Sequence, residues 1–245
     1  MRTAFHLLAI VSLTGALVSL AEWADPEVGR FRRREALQDL GWLLLYVAYV
    51  PFVAIGSFAL AKAVRRHSPL GAALGDAMWA RVVIAVVVAE AAYYWLHRLF
   101  HATRVGWWVH RVHHSSTDLH WWSAFRFHPV EVVVVTVVPA AVGAWFGAGS
   151  AAAVYSFAAT IVTTFAHADV YVPGRVLDRV VCTPGYHRTH HETGRERCNY
   201  ALVLPLADIA FGTADFRRGE PRHFGSLTTA TPPPSATHCW PLPQQ

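Results

Sequence analysis

The stretch Met78-Trp-Ala-Arg-Val-Val-Ile-Ala-Val-Val-Val-Ala-Glu-Ala-Ala-Tyr-Tyr-Trp-Leu-His-Arg-Leu-Phe-His101 decides the fold. Met78–Leu96 is an apolar run of the length that crosses a bilayer core of about 30 Å as a helix rising 1.5 Å per residue. It passes straight into His97-Arg-Leu-Phe-His101, and two histidines four residues apart share one helical face. The stretch therefore predicts a membrane helix that delivers two imidazoles, one turn apart, at its end.

Working outward, Ala4–Trp23, Trp42–Ala61, Val130–Gly147 and Ser150–Ala166 are further long runs of Ala, Val, Leu, Ile and Phe. The chain is 54% hydrophobic and only 15% charged, against about a quarter charged in an ordinary soluble domain. The expected fold is all-α: a transmembrane helical bundle of four to five spans with a cytosolic helical cap carrying the histidines. Met1–Ala21 has the features of a cleaved signal peptide as well as of a span. The basic run Arg30-Phe-Arg-Arg-Arg34 favours a retained span with that run in the cytoplasm. The loop with Lys62, Arg65 and Arg66 then falls outside, and the segment with Arg98, Arg104, Arg111 and Arg126 inside. The tail from about His167, with its many arginines, is inside as well. The net charge of +5 is thus a topology and headgroup signal; no basic aromatic groove suggests a nucleic-acid partner. A bacterial inner membrane is the expected location.

Cys182, Cys198 and Cys239 show no CxxC spacing and are expected as free thiols. The segment 226–245 is rich in Thr, Pro and Gln and reads as a disordered tail. The domain reading is 1–77 for the N-terminal spans and basic loop, 78–215 for the catalytic domain, and 216–245 for the tail.

Of fifteen histidines, eleven lie between His97 and His191. The H-x3-H at His97 and His101 is followed by H-x2-H-H at His110, His113 and His114. The same spacing returns at His187, His190 and His191, and His167 stands at the inner end of the last span. Each cluster is expected on one helical face. Imidazole is a neutral ligand for iron, zinc, copper or nickel, and so many nitrogens exceed the needs of one ion. Two metal ions fit the count. Lone histidines such as His6, His67, His223 and His238 read as ordinary interfacial or core groups.

The segments Glu90-Ala-Ala-Tyr-Tyr-Trp-Leu-His-Arg-Leu-Phe-His101, Trp108-Val-His-Arg-Val-His-His-Ser115 and Arg126-Phe-His-Pro-Val-Glu131 resemble the fatty acid hydroxylase superfamily, and most of all its sterol desaturase-type members. Phe165-Ala-His-Ala-Asp169, Thr183-Pro-Gly-Tyr-His-Arg-Thr-His-His191, Asn199-Tyr200 and Asp208-Ile-Ala-Phe-Gly-Thr213 follow in the same order, so the resemblance covers about 78–215. It implies a membrane-embedded di-iron enzyme that uses dioxygen and two external electrons to hydroxylate or desaturate a sterol, fatty acyl chain or related lipid. It implies iron ligation by His97, His101, His110, His113, His114, His167, His187, His190 and His191, with His128 at a recurrent position whose metal contact is less secure. Glu90, Asp169 and Ala201 depart from the common Asp, Asn and Gly, and Ala207 stands where Trp is usual before Asp208.

Carboxylates near the histidines are expected to fix imidazole tautomers. Glu90, seven residues before His97 inside an apolar span, is the first candidate; Glu131, Asp169 and Asp178 follow. Asn199 and Asp208 are expected to hold the C-terminal part of the cap together. No dinucleotide loop, CxxC set or haem-attachment motif is present, so electrons are expected from a separate cytochrome- or ferredoxin-type protein. Two other classes compete with the oxidoreductase. A zinc-dependent membrane hydrolase would need a Glu between paired histidines, and H-E-x-x-H is absent. A non-enzymatic metal or haem transport or sensing protein would carry polar residues along several spans, whereas here the histidines gather at one end.

Overall fold

The computed structural model describes residues 13–20, 22, 33–68, 77–147, 149–170, 172, 176–195, 197–216 and 223–225. Among them there is no strand. The helices are α1 (Arg33–Arg66), α2 (Met78–Ala102), α3 (Arg104–His110), α4 (Pro129–Trp145), α5 (Gly149–Ala166), α6 (Pro184–His191) and α7 (Leu206–Phe211), with a further helical piece at 13–20. Short 3-10 turns lie at His113–Ser115, Trp121–Phe125 and Leu177–Arg179.

α1 begins with Glu35 in its first turn and ends with Arg65 and Arg66 in its last, charges that complement the helix dipole. The structure thereby corrects one expectation: Lys62, Arg65 and Arg66 sit on the final turns of this helix and not in a loop. Leu37–Arg66 and Trp79–Ala102 are long and apolar enough to cross a membrane, and Pro129–Trp145 is a shorter apolar helix. Only 6% of the apolar window of α1 is buried, so it is no soluble core helix. Leu37, Leu44, Phe52, Ile55 and Phe58 of α1, with Trp79, Val83 and Val87 of α2, are exposed. An outward apolar surface of this kind fits lipid better than water.

α2 shows why its sequence faces both ways. Ala85, Ala89, Tyr93, His97 and His101 recur every four residues and are all buried, while Val83, Val87 and Leu99 point outward. α1 packs along α4, and α2 against α4 and α5. At the end of α2 the chain turns sharply into α3. Thr103 caps α3 by accepting the Gly106 N–H at 3.1 Å. A Cβ at Gly106 would stand 2.6 Å from the Phe100 Cα and 2.8 Å from the Leu99 carbonyl, so glycine alone permits this approach.

One end of the bundle therefore gathers the end of α2, the start of α4 and the end of α5. The segment 103–128 and the described residues of 167–216 cover that end and carry the remaining cluster histidines. α6 is placed by Thr183, whose hydroxyl accepts the Tyr186 N–H, with Pro184 at the first helical position. The expected tail at 226–245 and most of the first apolar run lie outside the described residues. Cys182 is a buried free thiol, as expected, and Cys239 lies outside the described residues.

Candidate metal centre

The nine cluster histidines come together at the covered end of the bundle, all buried. They form two groups, each with its candidate ligand atoms mutually within 4.8 Å. His97, His101, His110, His114 and His190 make one; His113, His167, His187 and His191 make the other. This partition corrects the expectation of one face per cluster. His110 and His114 belong to the first group and His113 to the second; His187 and His191 belong to the second and His190 to the first.

The cause is local geometry. With 3.6 residues per turn, position i+3 trails by about 60° and i+4 leads by about 40°, so neighbours i+3 and i+4 diverge by about 100°. On α6 that divergence sends His190 and His191 to opposite sides, their rings at 88° to one another. The middle cluster also leaves the helix: α3 ends at His110, and His113–Ser115 is a separate 3-10 turn.

Most of these imidazoles are oriented through Nδ1. His97 donates to the Tyr200 carbonyl at 2.7 Å, His190 to the Cys198 carbonyl at 2.6 Å, and His167 to the Thr163 carbonyl at 2.8 Å. His113 donates to the Arg126 carbonyl at 3.3 Å, and His110 to Glu131 Oε1 at 2.6 Å. A ring whose Nδ1–H is committed in this way turns an unprotonated Nε2 inward. Those Nε2 atoms face each other: His97 and His110 at 3.0 Å, His110 and His114 at 3.2 Å, His113 and His167 at 3.2 Å, His167 and His187 at 3.2 Å, His187 and His191 at 3.1 Å. His190 Nε2 and both ring nitrogens of His101 are buried without a hydrogen-bond partner. Converging lone pairs and orphaned buried nitrogens are costly unless a cation sits among them. The donor set fits metal ions.

Electrostatics agree. Burial, and then the neighbouring imidazoles, hold His110, His114, His187 and His191 well below the usual histidine range. Burial likewise lowers His113 and His190, and brings His167 down to about 4. These rings are neutral at physiological pH, the state in which imidazole ligates.

Around the histidines, α7 and the segment 198–201 form a brace. Asp208 accepts from the Tyr200 and Ala201 N–H groups at 2.9 and 2.7 Å, from the Tyr186 hydroxyl at 3.0 Å and from the Thr213 hydroxyl at 2.6 Å. Burial raises its carboxyl while these bonds oppose the rise. Asn199 adopts φ 56°, a left-handed conformation that Asn tolerates. Its amide donates to the Tyr186 and Asp215 carbonyls, and its oxygen accepts the Asp215 N–H. The brace thus positions the two carbonyls, Cys198 and Tyr200, that receive His190 and His97.

Glu90, first candidate for orienting an imidazole, instead accepts the Tyr155 hydroxyl at 2.6 Å and the Val203 and Leu204 amides, tying α2 to α5 and the segment before α7. Glu131 is the carboxylate on a group histidine. Asp169 pairs with Arg188 at 2.7 Å, and Asp178 accepts the Thr183 hydroxyl at 2.5 Å. His128 caps α4, its Nδ1 accepting the Val130 N–H at 3.3 Å, and stands in neither group. Sequence reasoning passed over Asp39, Glu35 and His120, and read Arg126 only as a topology charge and the start of a motif. The buried Arg126 guanidinium pairs with Asp39 and, at 2.5 Å, with Glu35, and His120 meets Asp39 at 2.8 Å. An aspartate at the head of an apolar run was the available signal.

The fatty acid hydroxylase family model matches residues 82–213, more than half of the chain. The chain belongs to the fatty acid hydroxylase family. Every histidine of both groups falls inside the span that this family model matches. Among curated relatives, very-long-chain aldehyde decarbonylase GL1-1 of Oryza sativa subsp. indica is 32% identical over 167 residues, covering 63% of this chain and 26% of that protein. Alkylglycerol monooxygenase of Homo sapiens is 32% identical over 128 residues, covering 51% and 28%. Very-long-chain aldehyde decarbonylase GL1-2 of Oryza sativa subsp. indica is 30% identical over 210 residues, covering 80% and 33%. This fatty acid hydroxylase family chain spans about a quarter to a third of the length of the curated relatives it matches. No solved structure matches it significantly. The family and the monooxygenase relative point to an oxidoreductase, and the histidine groups fit a metal site.

Proposed function

We propose that this protein is a multi-pass membrane oxidoreductase whose two histidine groups hold an iron pair and which uses dioxygen and external electrons to hydroxylate or desaturate a lipid. The observation that carries the reading is the sorting of nine buried, neutral imidazoles into two adjacent groups with inward-facing Nε2 atoms. His97, His101, His110, His114 and His190 would hold one ion; His113, His167, His187 and His191 the other.

Iron is favoured over zinc by the donor set. Structural zinc sites are almost always four-coordinate and catalytic ones keep three protein ligands, whereas the first group alone offers five imidazoles. Oxidation of an unactivated C–H bond is redox chemistry that side chains cannot perform, and a bound iron pair supplies it. The chain's own residues do the rest. The Tyr200, Cys198, Arg126 and Thr163 carbonyls and the Glu131 carboxylate fix ring orientation, and the closed packing around the rings excludes bulk water. The long apolar α1 and α2 support a site beside the bilayer and a substrate that reaches it from lipid. The names of the relatives, a very-long-chain aldehyde decarbonylase and an alkylglycerol monooxygenase, support a substrate with a long aliphatic chain. The reading includes four to five spans, the histidine end in the cytoplasm, a catalytic unit over 78–215, and a separate cytochrome- or ferredoxin-type donor.

Anaerobic reconstitution of the purified protein with ferrous iron, followed by addition of a reductant and membrane lipids under oxygen, tests this. Oxygen uptake coupled to a new hydroxylated or unsaturated lipid is expected. Lipid hydrolysis with zinc and no oxygen uptake would replace the reading with a hydrolase, and iron binding with no lipid product would favour a transport or sensing role.

A further inference from the structure

We propose that Asp39, in α1 and outside the segment that carries the histidines, is a positioning residue for the second histidine group; the inference rests on the metal-centre reading above. His113 is held in two ways by one short segment. Its Nδ1–H donates to the Arg126 carbonyl at 3.3 Å, and its ring lies flat on Phe127, centroids 4.7 Å apart and 4° from parallel. The Arg126–Phe127 segment is in turn fixed by α1. The Arg126 guanidinium, 2% exposed, pairs through Nε with Asp39, which is fully buried, and through Nη2 with Glu35. Ser123, three residues upstream, donates its hydroxyl to Asp39 Oδ2 at 3.2 Å, and His120 Nε2 meets that same oxygen at 2.8 Å, whereas Arg126 Nε is on Oδ1. Tyr46, two turns along α1, touches both Phe125 and Phe127.

Asp39 is thus the point at which the 3-10 turn Trp121–Phe125, Arg126 and His120 converge on α1. A buried guanidinium that loses one of its two carboxylate partners is left under-compensated and shifts toward the other, here Glu35. The Arg126 main-chain carbonyl moves with it, and His113 loses its aim. The first group takes two of its carbonyls from Cys198 and Tyr200, outside the Asp39–Arg126 contacts, so its ion is expected to stay bound. The inferred effect is therefore selective for one ion.

The test is a ferrous-iron titration of the full-length metal-free protein in detergent, read as iron bound per chain and as the Mössbauer spectrum, beside the thermal unfolding of the metal-free form. For Asp39→Asn, one equivalent of iron is expected to bind as in the wild type and the second about 10–100-fold more weakly, the usual cost of removing a group that orients a ligand. Asp39→Glu, which keeps the charge, is expected to recover much of that loss. Unchanged binding of both equivalents in Asp39→Asn overturns the inference. So does equal weakening of both together with a lowered unfolding temperature, which a merely structural role would give. Should Asp39→Asn not fold, Phe127→Leu, which removes the stacking surface but leaves the ion pairs, is read in the same way. A wild-type chain that binds no pair of irons brings down the metal-centre reading itself, and this inference with it.

Discussion

His114 and His191 stack with ring centroids 4.3 Å apart and planes 23° from parallel, although their ligand nitrogens belong to different groups. His110 and His113, likewise split between the groups, lie 5.3 Å apart. The two groups share a wall of imidazole. In the proposed iron pair such contact would couple the two ions, so removing a ligand of one is expected to change the spectrum of the other while leaving it bound.

The partition along α6 gives a sharp expectation. His187→Ala and His190→Ala change residues three apart on one helix but face different groups. Each variant is expected to retain about half of the wild-type iron, with different residual Mössbauer spectra, and neither is expected to turn over lipid. Identical residual spectra would contradict the partition.

Glu131 holds the Nδ1–H of His110. Glu131→Gln keeps the shape and removes the charge that strengthens this bond, so iron affinity of the first group is expected to fall by 10–100-fold. Competition with a chromophoric chelator measures it. An unchanged affinity would mean that the carboxylate does not tune the ligand.

Gly106 allows the turn between α2 and α3, and thereby sets the spacing between His101 and His110. In Gly106→Ala the new methyl meets the Phe100 and Leu99 backbone. Overpacking of this kind costs about 1–3 kcal/mol, and here the neighbouring atoms are main chain and cannot swing aside. Thermal unfolding in detergent is expected to shift downward, with iron content reduced as well.

Stability should depend on pH with a definite sign. Burial first, against the Thr163 carbonyl, holds His167 at about 4 in place of the ordinary 6.5. Between these values the unfolded chain binds a proton that the folded metal-free chain does not. Stability of the metal-free protein therefore falls as pH drops from about 6.5 toward 4 and levels off below, His167 contributing roughly 3 kcal/mol to the fall. The other histidines lowered by burial act in the same direction. Iron-loaded protein is expected to lose metal over the acidic range, because protons compete for the same nitrogens. A melting temperature independent of pH between 7 and 4 would contradict the buried neutral cluster.

Much of this was legible in the sequence because it is written in local periodicity. Apolar runs such as Met78–Leu96 mark helices by length alone, and His97 and His101 declare a shared face. The match of the chain to the fatty acid hydroxylase family likewise follows the order of short motifs that the sequence displays. What local reading missed depends on finer or longer-range geometry. The division of His190 from His191 arises from about 100° of helical rotation, too fine for a rule that counts i+3 and i+4 as one side. Glu90 was misplaced because sharing a face with His97 does not specify height in the bundle, where Tyr155 supplies its partner. The link from Asp39 to Arg126 joins residues 87 apart in sequence, and only packing of α1 against the cap brings them together.

The central claim is a pair of iron ions held by two histidine groups. Mössbauer spectroscopy of protein loaded anaerobically with isotopically enriched ferrous iron, with iron per chain measured on the same sample, tests it most directly. Two irons per chain in nitrogen-rich, non-haem environments, both altered on exposure to oxygen and substrate lipid, are predicted. A single iron per chain, or iron that oxygen leaves unchanged while zinc binds in its place, would contradict it.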